Sequence, residues 1–205
     1  MIKERVIAYI DGFNLYFGIN QNKAKHLLWL DVQKLTQNLL LPTQTLIETN
    51  YFTSRINNNP PKQSRQNTYL EALETLSNFN IYYGQYDSHN VTCKNCNNTY
   101  SLSNEKMTDV NIACQLLGDA FQDKYDTAFL ITGDSDLVPP IELIHQMFPK
   151  KRVFVAFPPN RQTNRLSKVS RGSMTIGRKK LLDSQFPDQV SKKSGFVLKR
   201  PITWV

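Results

Sequence analysis

The stretch Leu130–Ile131–Thr132–Gly133–Asp134–Ser135–Asp136 places two carboxylates directly behind a short apolar run, Thr127–Ile131. Two acids held close repel one another unless a cation or a shared proton offsets the charge. One carboxylate in such a loop could simply cap the helix that follows, but two exceed what a cap requires. The same layout occurs earlier. Arg5–Ile10 is β-branched and aromatic, and it ends at Asp11-Gly12-Phe13-Asn14. Asp11 alone could also be a cap. Asp109 opens a third element, where the helix dipole is a sufficient reason for an acid, so its weight comes from joining the others. Carboxylates converging without adjacent Lys or Arg make a hard, oxygen-only site. That chemistry suits Mg²⁺ or Mn²⁺, which keep waters and bind phosphate oxygens. A cation so placed polarises a phosphodiester and readies a water for in-line attack.

A second constellation, His89-x3-Cys93-x2-Cys96, has half the ligands and the spacing of a Zn²⁺ knuckle. A fourth ligand is not evident nearby, and a pair of ordinary thiols in a surface hairpin is the alternative. His145 has no obvious partner and reads as a packing or surface residue.

The elements that must position the acids alternate between two periods. Five-residue apolar runs such as Thr127–Ile131 are too short for helices and predict buried strands. Lys151–Phe157 is another, and Leu46–Arg55 and Phe79–Tyr86 read as further strands. Between them lie helical patterns: Asp31 caps a helix through Leu40, and Gln63–Ser77 carries Tyr69, Leu70, Leu73 and Leu76. Glu105 onward forms a helix whose buried face is predicted at Val110, Ala113, Cys114, Leu117, Ala120 and Phe121. Pro139 and Pro140 fit the first turn of the helix after Asp136. Such alternation predicts an α/β fold, a parallel sheet between two helical layers. Ligands of such sheets bind at the carboxyl ends of the strands, where Asp11, Asp134 and Asp136 fall. Gly133 is expected to let the backbone turn sharply.

Bulk properties narrow the class. A chain of 205 residues suits one domain with a small appendage. No apolar run is long enough to span a bilayer, and no secretory signal opens the chain. Three cysteines argue for a reducing, cytoplasmic setting. The formal charge of +8 is unevenly spread: residues 149–205 carry 14 Lys/Arg against 2 Asp/Glu, whereas residues 1–148 carry 11 against 15. An acidic focus beside a basic flank suits a polyanion held by one part and cut by the other. Arg161, Arg165, Lys168 and Arg171 are the candidates to hold it. The last twenty residues read as a tail packed by Phe196, Ile202 and Trp204.

Three motifs carry a resemblance. Val6–Gly18, with its Asp-Gly-Phe-Asn-Leu-Tyr-Phe-Gly run, resembles the opening of NYN domains, which belong with the PIN-like nucleases. Glu105–Ala113 and Asp126–Asp136 are similar to the family's second and third motifs. Asp183-Ser-Gln-Phe-Pro and Lys199-Arg-Pro-Ile-Thr-Trp204 resemble its LabA-like bacterial branch. The resemblance implies a three-layer α/β/α PIN-like (NYN) domain over residues 1–183, with a cysteine-containing hairpin at 87–104 and a packed tail at 184–205. It implies metal-dependent RNA cleavage with Asp11, Asp109, Asp134 and Asp136 as the acidic cluster and Asn14 and Thr132 as the adjacent polar residues. Thr132 stands where the family often has Ser, which keeps the hydroxyl. The alternative from another class is a non-catalytic RNA-binding or regulatory module retaining the fold, and a third is a phosphohydrolase acting on small phosphoesters. The expected partner is RNA, without a membrane, and a homo-oligomer is compatible with the sequence.

Overall fold

The computed structural model describes residues 3–21, 24–57 and 59–205, with backbone only at 86–90 and 100–105. Its centre is β1 (Glu4–Asp11), a strand buried on both faces from Val6 onward. That double burial explains why β1 reads as a continuous apolar run rather than an alternation. β1 pairs in parallel with β2 (Gln44–Thr53) on one side and with β6 (Thr127–Ile131) on the other. Outward lie β3 (Phe79–Tyr83) beyond β2, and β7 (Arg152–Phe157) and β8 (Gly172–Thr175) beyond β6. The six-stranded sheet is therefore ordered β3-β2-β1-β6-β7-β8, parallel throughout.

Helices cover both faces. Val6, Ala8 and Ile10 pack towards α1 (Gly12–Gln21), α2 (Val32–Leu39) and α3 (Pro60–Leu73). Ile7 and Tyr9 pack the opposite way, towards α4 (Thr108–Phe121), α5 (Val138–Met147) and α6 (Asn164–Val169). Asp31 caps α2 by accepting the Lys34 N–H at 2.8 Å. Pro139 and Pro140 sit in the first turn of α5, behind a single 3₁₀ turn at Ser135–Leu137.

Residues 85–106 form an antiparallel hairpin, β4 (Gln85–Thr92) and β5 (Thr99–Lys106), outside the main sheet. The helix expected from Glu105 therefore begins only at Thr108. Its buried face also differs from the expected one. Ile112, Leu116, Asp119 and Ala120 are inside, while Val110, Cys114 and Phe121 are exposed. The cause is Asp119, which interrupts the buried stripe in the sequence. Its charge is tolerated there because the Tyr9 hydroxyl donates to it at 2.8 Å, Gln115 donates at 2.9 Å and Lys124 pairs with it at 2.9 Å.

After α7 (Arg178–Asp183) the chain forms a small antiparallel pair, β9 (Gln189–Ser191) and β10 (Val197–Lys199). Phe196 and Ile202, expected to anchor this tail, are exposed. Phe186, Val190, Leu198 and Trp204 are the residues that join the core. Trp29, fully buried, ties the tail down by donating its indole N–H to the Pro187 carbonyl at 2.7 Å.

Candidate functional site

The sheet order reverses between β1 and β6: the chain builds outward through β2 and β3, then returns to lay β6 on the other flank of β1. A crevice forms at the carboxyl ends of strands at such a reversal. Asp11 is the last residue of β1, and Thr132 follows β6, whose Ile131 lies opposite Ile10. Register alone thus brings the first and third acidic motifs together.

Asp11 is only 4% exposed. One carboxylate oxygen accepts the Asn14 N–H at 2.9 Å, so Asp11 does act as a cap, and the other accepts the Thr132 hydroxyl at 3.0 Å. Thr132 Oγ1 in turn accepts the Asp134 N–H at 3.1 Å, and the Asn14 side-chain oxygen accepts the Gly133 N–H at 2.9 Å. Asp134 caps the 3₁₀ turn by accepting the Asp136 N–H at 2.9 Å. These neutral donors stitch the two loops into one unit. They hold Asp11 without cancelling its charge.

Burial pushes the Asp11 carboxyl up to about 7, and the nearby charges of Asp109 and Asp134 act in the same direction, against the two hydrogen bonds. Asp109, in the first turn of α4, is therefore brought to the site as well. The chain enters that helix through Met107, a non-glycine residue at φ 78°. A methionine in the left-handed region is uncommon, and such strain is held only where surrounding contacts impose it. Asp134 is half-buried and Asp136 is exposed, one step further out. Among the described residues no three or more acids, histidines or cysteines close into a ready-made metal cage. An open set of carboxylates fits Mg²⁺ or Mn²⁺, which take one or two protein carboxylates and fill their shell with water and phosphate oxygens.

Gly133, where a sharp turn is expected, does not adopt a left-handed conformation. A Cβ there would lie 1.9 Å from the Arg161 carbonyl oxygen, so the glycine is needed for close approach. Arg161 is thereby locked beside the acid loop. Its guanidinium lies over the Phe17 ring at 6.0 Å, and its Nε is buried without a protein partner. Arg165 and Lys168 are exposed on α6. Arg171 lies elsewhere: its N–H donates to the Val153 carbonyl near the start of β7, at the amino edge of the sheet. Its charge there helps burial to lower the pKa of His145, whose ring accepts the Val153 N–H.

At the cysteine hairpin, Asn97 N–H donates to the Cys93 carbonyl and Cys93 N–H to Asn98, each at 2.9 Å. The N–H groups of Asn95 and Cys96 point at the Cys93 sulfur and lower its pKa. A thiolate so held could serve as a metal ligand, and Cys93 with Cys96 could supply two of the donors a Zn²⁺ site needs. The side chain of His89 lies outside the described residues.

Tyr51 was not anticipated. It stands near the carboxyl end of β2, beside Asp11, whose charge adds to the burial that raises its pKa. The strand-end rule that located Asp11 also applies to β2 and is the signal that could have found it.

The chain is 24% identical to the 6-hydroxy-3-succinoylpyridine 3-monooxygenase HspA of Pseudomonas putida (strain DSM 28022 / S16), with 68% of this chain and 55% of that protein covered. The chain thus spans about half the length of that curated relative. Among solved structures, a protein of unknown function from Vibrio parahaemolyticus RIMD 2210633 superposes with a TM-score of 0.58 at 17% identity, covering 90% of this chain and 98% of that one. That likeness concerns the fold, which is consistent with the PIN-like class. The NYN domain model matches residues 5–174, from the start of β1 into β8 and across all three acidic motifs, and the chain therefore belongs to the NYN domain family, within the PIN-like nuclease superfamily.

Proposed function

We propose that this protein is a metal-dependent endoribonuclease. The observation that carries the reading is Asp11: a buried carboxyl held by neutral donors, raised to about 7 by burial with Asp109 and Asp134 beside it. A carboxylate so placed is stabilised by a cation that brings opposite charge. Asp11, Asp109 and Asp134 would hold Mg²⁺ or Mn²⁺, with Asp136 reaching it from the rim. Such a cation, when bound, supplies Lewis-acid polarisation of the phosphodiester and a water of lowered pKa.

The chain's own residues do the rest. Thr132 fixes the Asp11 carboxylate through its hydroxyl and the Asp134 backbone through its oxygen. Asn14 clamps the Gly133 amide, so the two acid loops keep a constant spacing. Arg161, with a buried Nε lacking a protein partner, would hold a non-bridging phosphate oxygen. Arg165 and Lys168 would follow the strand's backbone along α6. Arg171, on the far edge, is not part of this grip. Within the family, the Asp183–Pro187 and Lys199–Trp204 motifs support the LabA-like branch. Three free cysteines suit a reducing cytoplasm, and no helix among the described residues is long and apolar enough to cross a membrane.

The test is cleavage of single-stranded RNA with Mg²⁺ or Mn²⁺ by the wild type and by Asp134→Asn, beside a generic phosphate ester. Metal-dependent RNA cleavage that disappears in the variant is the expected result. Cleavage unaltered by the substitution would discredit the metal role. RNA binding without cleavage would instead identify a binding module, and hydrolysis of the ester alone a small-molecule phosphohydrolase.

A further inference from the structure

Beside the acids, between α1 and α3 and over the carboxyl ends of β1 and β2, lies a pocket of about 320 Å³. Phe13, Tyr51, Tyr69 and Trp204 line it, and Lys62 and Arg65 line it from the first turns of α3. Its aromatic wall is continuous. Tyr51 meets Tyr69 edge-on with ring centroids 6.4 Å apart, and Tyr69 meets Trp204 edge-on at 5.8 Å. The Tyr69 hydroxyl donates to the Leu30 carbonyl at 2.7 Å, which fixes the middle ring. Gly12 joins this wall to the acids: a Cβ there would lie 2.5 Å from the Tyr51 hydroxyl oxygen. Only glycine lets that phenol rest against the backbone one residue after Asp11.

We propose that this pocket receives one unpaired nucleobase of the strand whose phosphate sits at Asp11 and Asp134. The inference rests on the nuclease reading and adds a subsite for one base. A flat heteroaromatic ring matches an aromatic cleft of this volume, and stacking on aromatic side chains is how proteins hold splayed-out RNA bases. Charge complementarity selects a nucleotide over an uncharged ring. The charged residues lining the pocket are both cations, Lys62 and Arg65, and they are placed to meet the next phosphate along the strand. Paired bases are excluded, because a duplex keeps each base in its stack.

Trp204 lines the pocket and reports on it. The measurement is quenching of intrinsic fluorescence in Asp134→Asn, which would leave the strand intact, by four probes. These are a single-stranded oligoribonucleotide, its abasic ribose-phosphate counterpart of equal length, the corresponding duplex and a 5′-mononucleotide. The base-bearing strand should quench and bind at least about tenfold more tightly than the abasic one, in line with the usual strength of base–aromatic stacking. Trp204→Phe should remove the quenching, and Arg65→Ala should weaken binding severalfold. Equal binding of the abasic strand or the duplex would overturn the inference, as would saturation by the mononucleotide at the same concentration. Quenching with base preference, but no RNA cleavage by the wild type, would sink the nuclease reading alone. Cleavage without base preference would sink this inference alone.

Discussion

The two edges of the central sheet treat the same residue type in opposite ways. At the amino edge, Asp126, Asp123 and Glu4 each have a cation. Asp126 takes two bonds from the Arg5 guanidinium, Asp123 pairs with Lys151 at 2.6 Å, and Arg152 pairs with Glu4. The pKa values of Asp123, Asp126 and Glu4 are lowered accordingly: Arg5 acts on Asp126, Lys151 on Asp123, and at Glu4 the bonds from Thr127, Arg152 and Gln44 outweigh burial. At the carboxyl edge, Asp11 meets hydrogen bonds from neutral groups and the charges of other acids, and its pKa is raised. Ion pairs at the first edge fasten strands together. Uncancelled charge at the second edge costs stability, and on the proposed function it would be offset by a bound cation. An acid's meaning in this fold is therefore set by which end of a strand it occupies.

The strongest way to break this comparison is to exchange charge for amide at both edges. Asp134→Asn should lower metal-dependent RNA cleavage about a thousandfold, the effect of losing several kcal/mol of charge stabilisation. Asp126→Asn should leave turnover unchanged, and single-turnover kinetics on both variants would show it.

A smaller effect concerns pH. Because the folded-state pKa of Asp11 is raised to about 7 from its ordinary value of 3.8, the folded protein binds a proton more tightly than the unfolded chain. The stability linked to that proton is fully present below about pH 4 and is lost as pH rises through 7. Without divalent cations, Asp11 should cost about 2–3 kcal/mol between pH 5 and pH 8. Denaturation midpoints at the two pH values measure it, and Asp11→Asn should flatten the difference. Added Mn²⁺ should restore stability at pH 8 in the wild type but not in the variant.

Gly133→Ala should cost about 2 kcal/mol by forcing the Arg161 carbonyl away, a typical price for overpacking, and chemical denaturation would report it. The smallest change is expected at the amino edge. Asp126→Ala breaks a half-exposed pair that solvent screens, so the loss should be about 1 kcal/mol, read as a small fall in melting temperature.

Much of this was legible in the sequence because it depends on local pattern. Short apolar runs ending in Asp11 or in Thr132-Gly133-Asp134 identify strands and the acids at their ends, and the alternation with helical patterns gives a parallel sheet. The structure brings Asp109 and Asp134 close enough for their charges to act on Asp11. What stayed hidden depends on contacts distant in sequence. The buried stripe of α4 was misread because Asp119 looks exposed until Tyr9 and Lys124 are seen around it. Trp204 could be anticipated as an anchor, whereas Phe186, Val190 and Leu198 could not, since their partners lie elsewhere in the chain. Arg171 resembles its basic neighbours by composition, yet pairing with the start of β7 carries it to the wrong edge. Gly133 signals a special backbone requirement, but the requirement comes from Arg161.

That last contact also bears on how the protein could diversify. With the Arg161 carbonyl resting on Gly133 and the same residue's guanidinium over the Phe17 ring, the segment that carries Arg161 is braced against the loop that carries the acids. Neither side can drift alone. A replacement at position 133 would be tolerated only alongside a compensating rearrangement around 161, and paired substitutions there should behave non-additively.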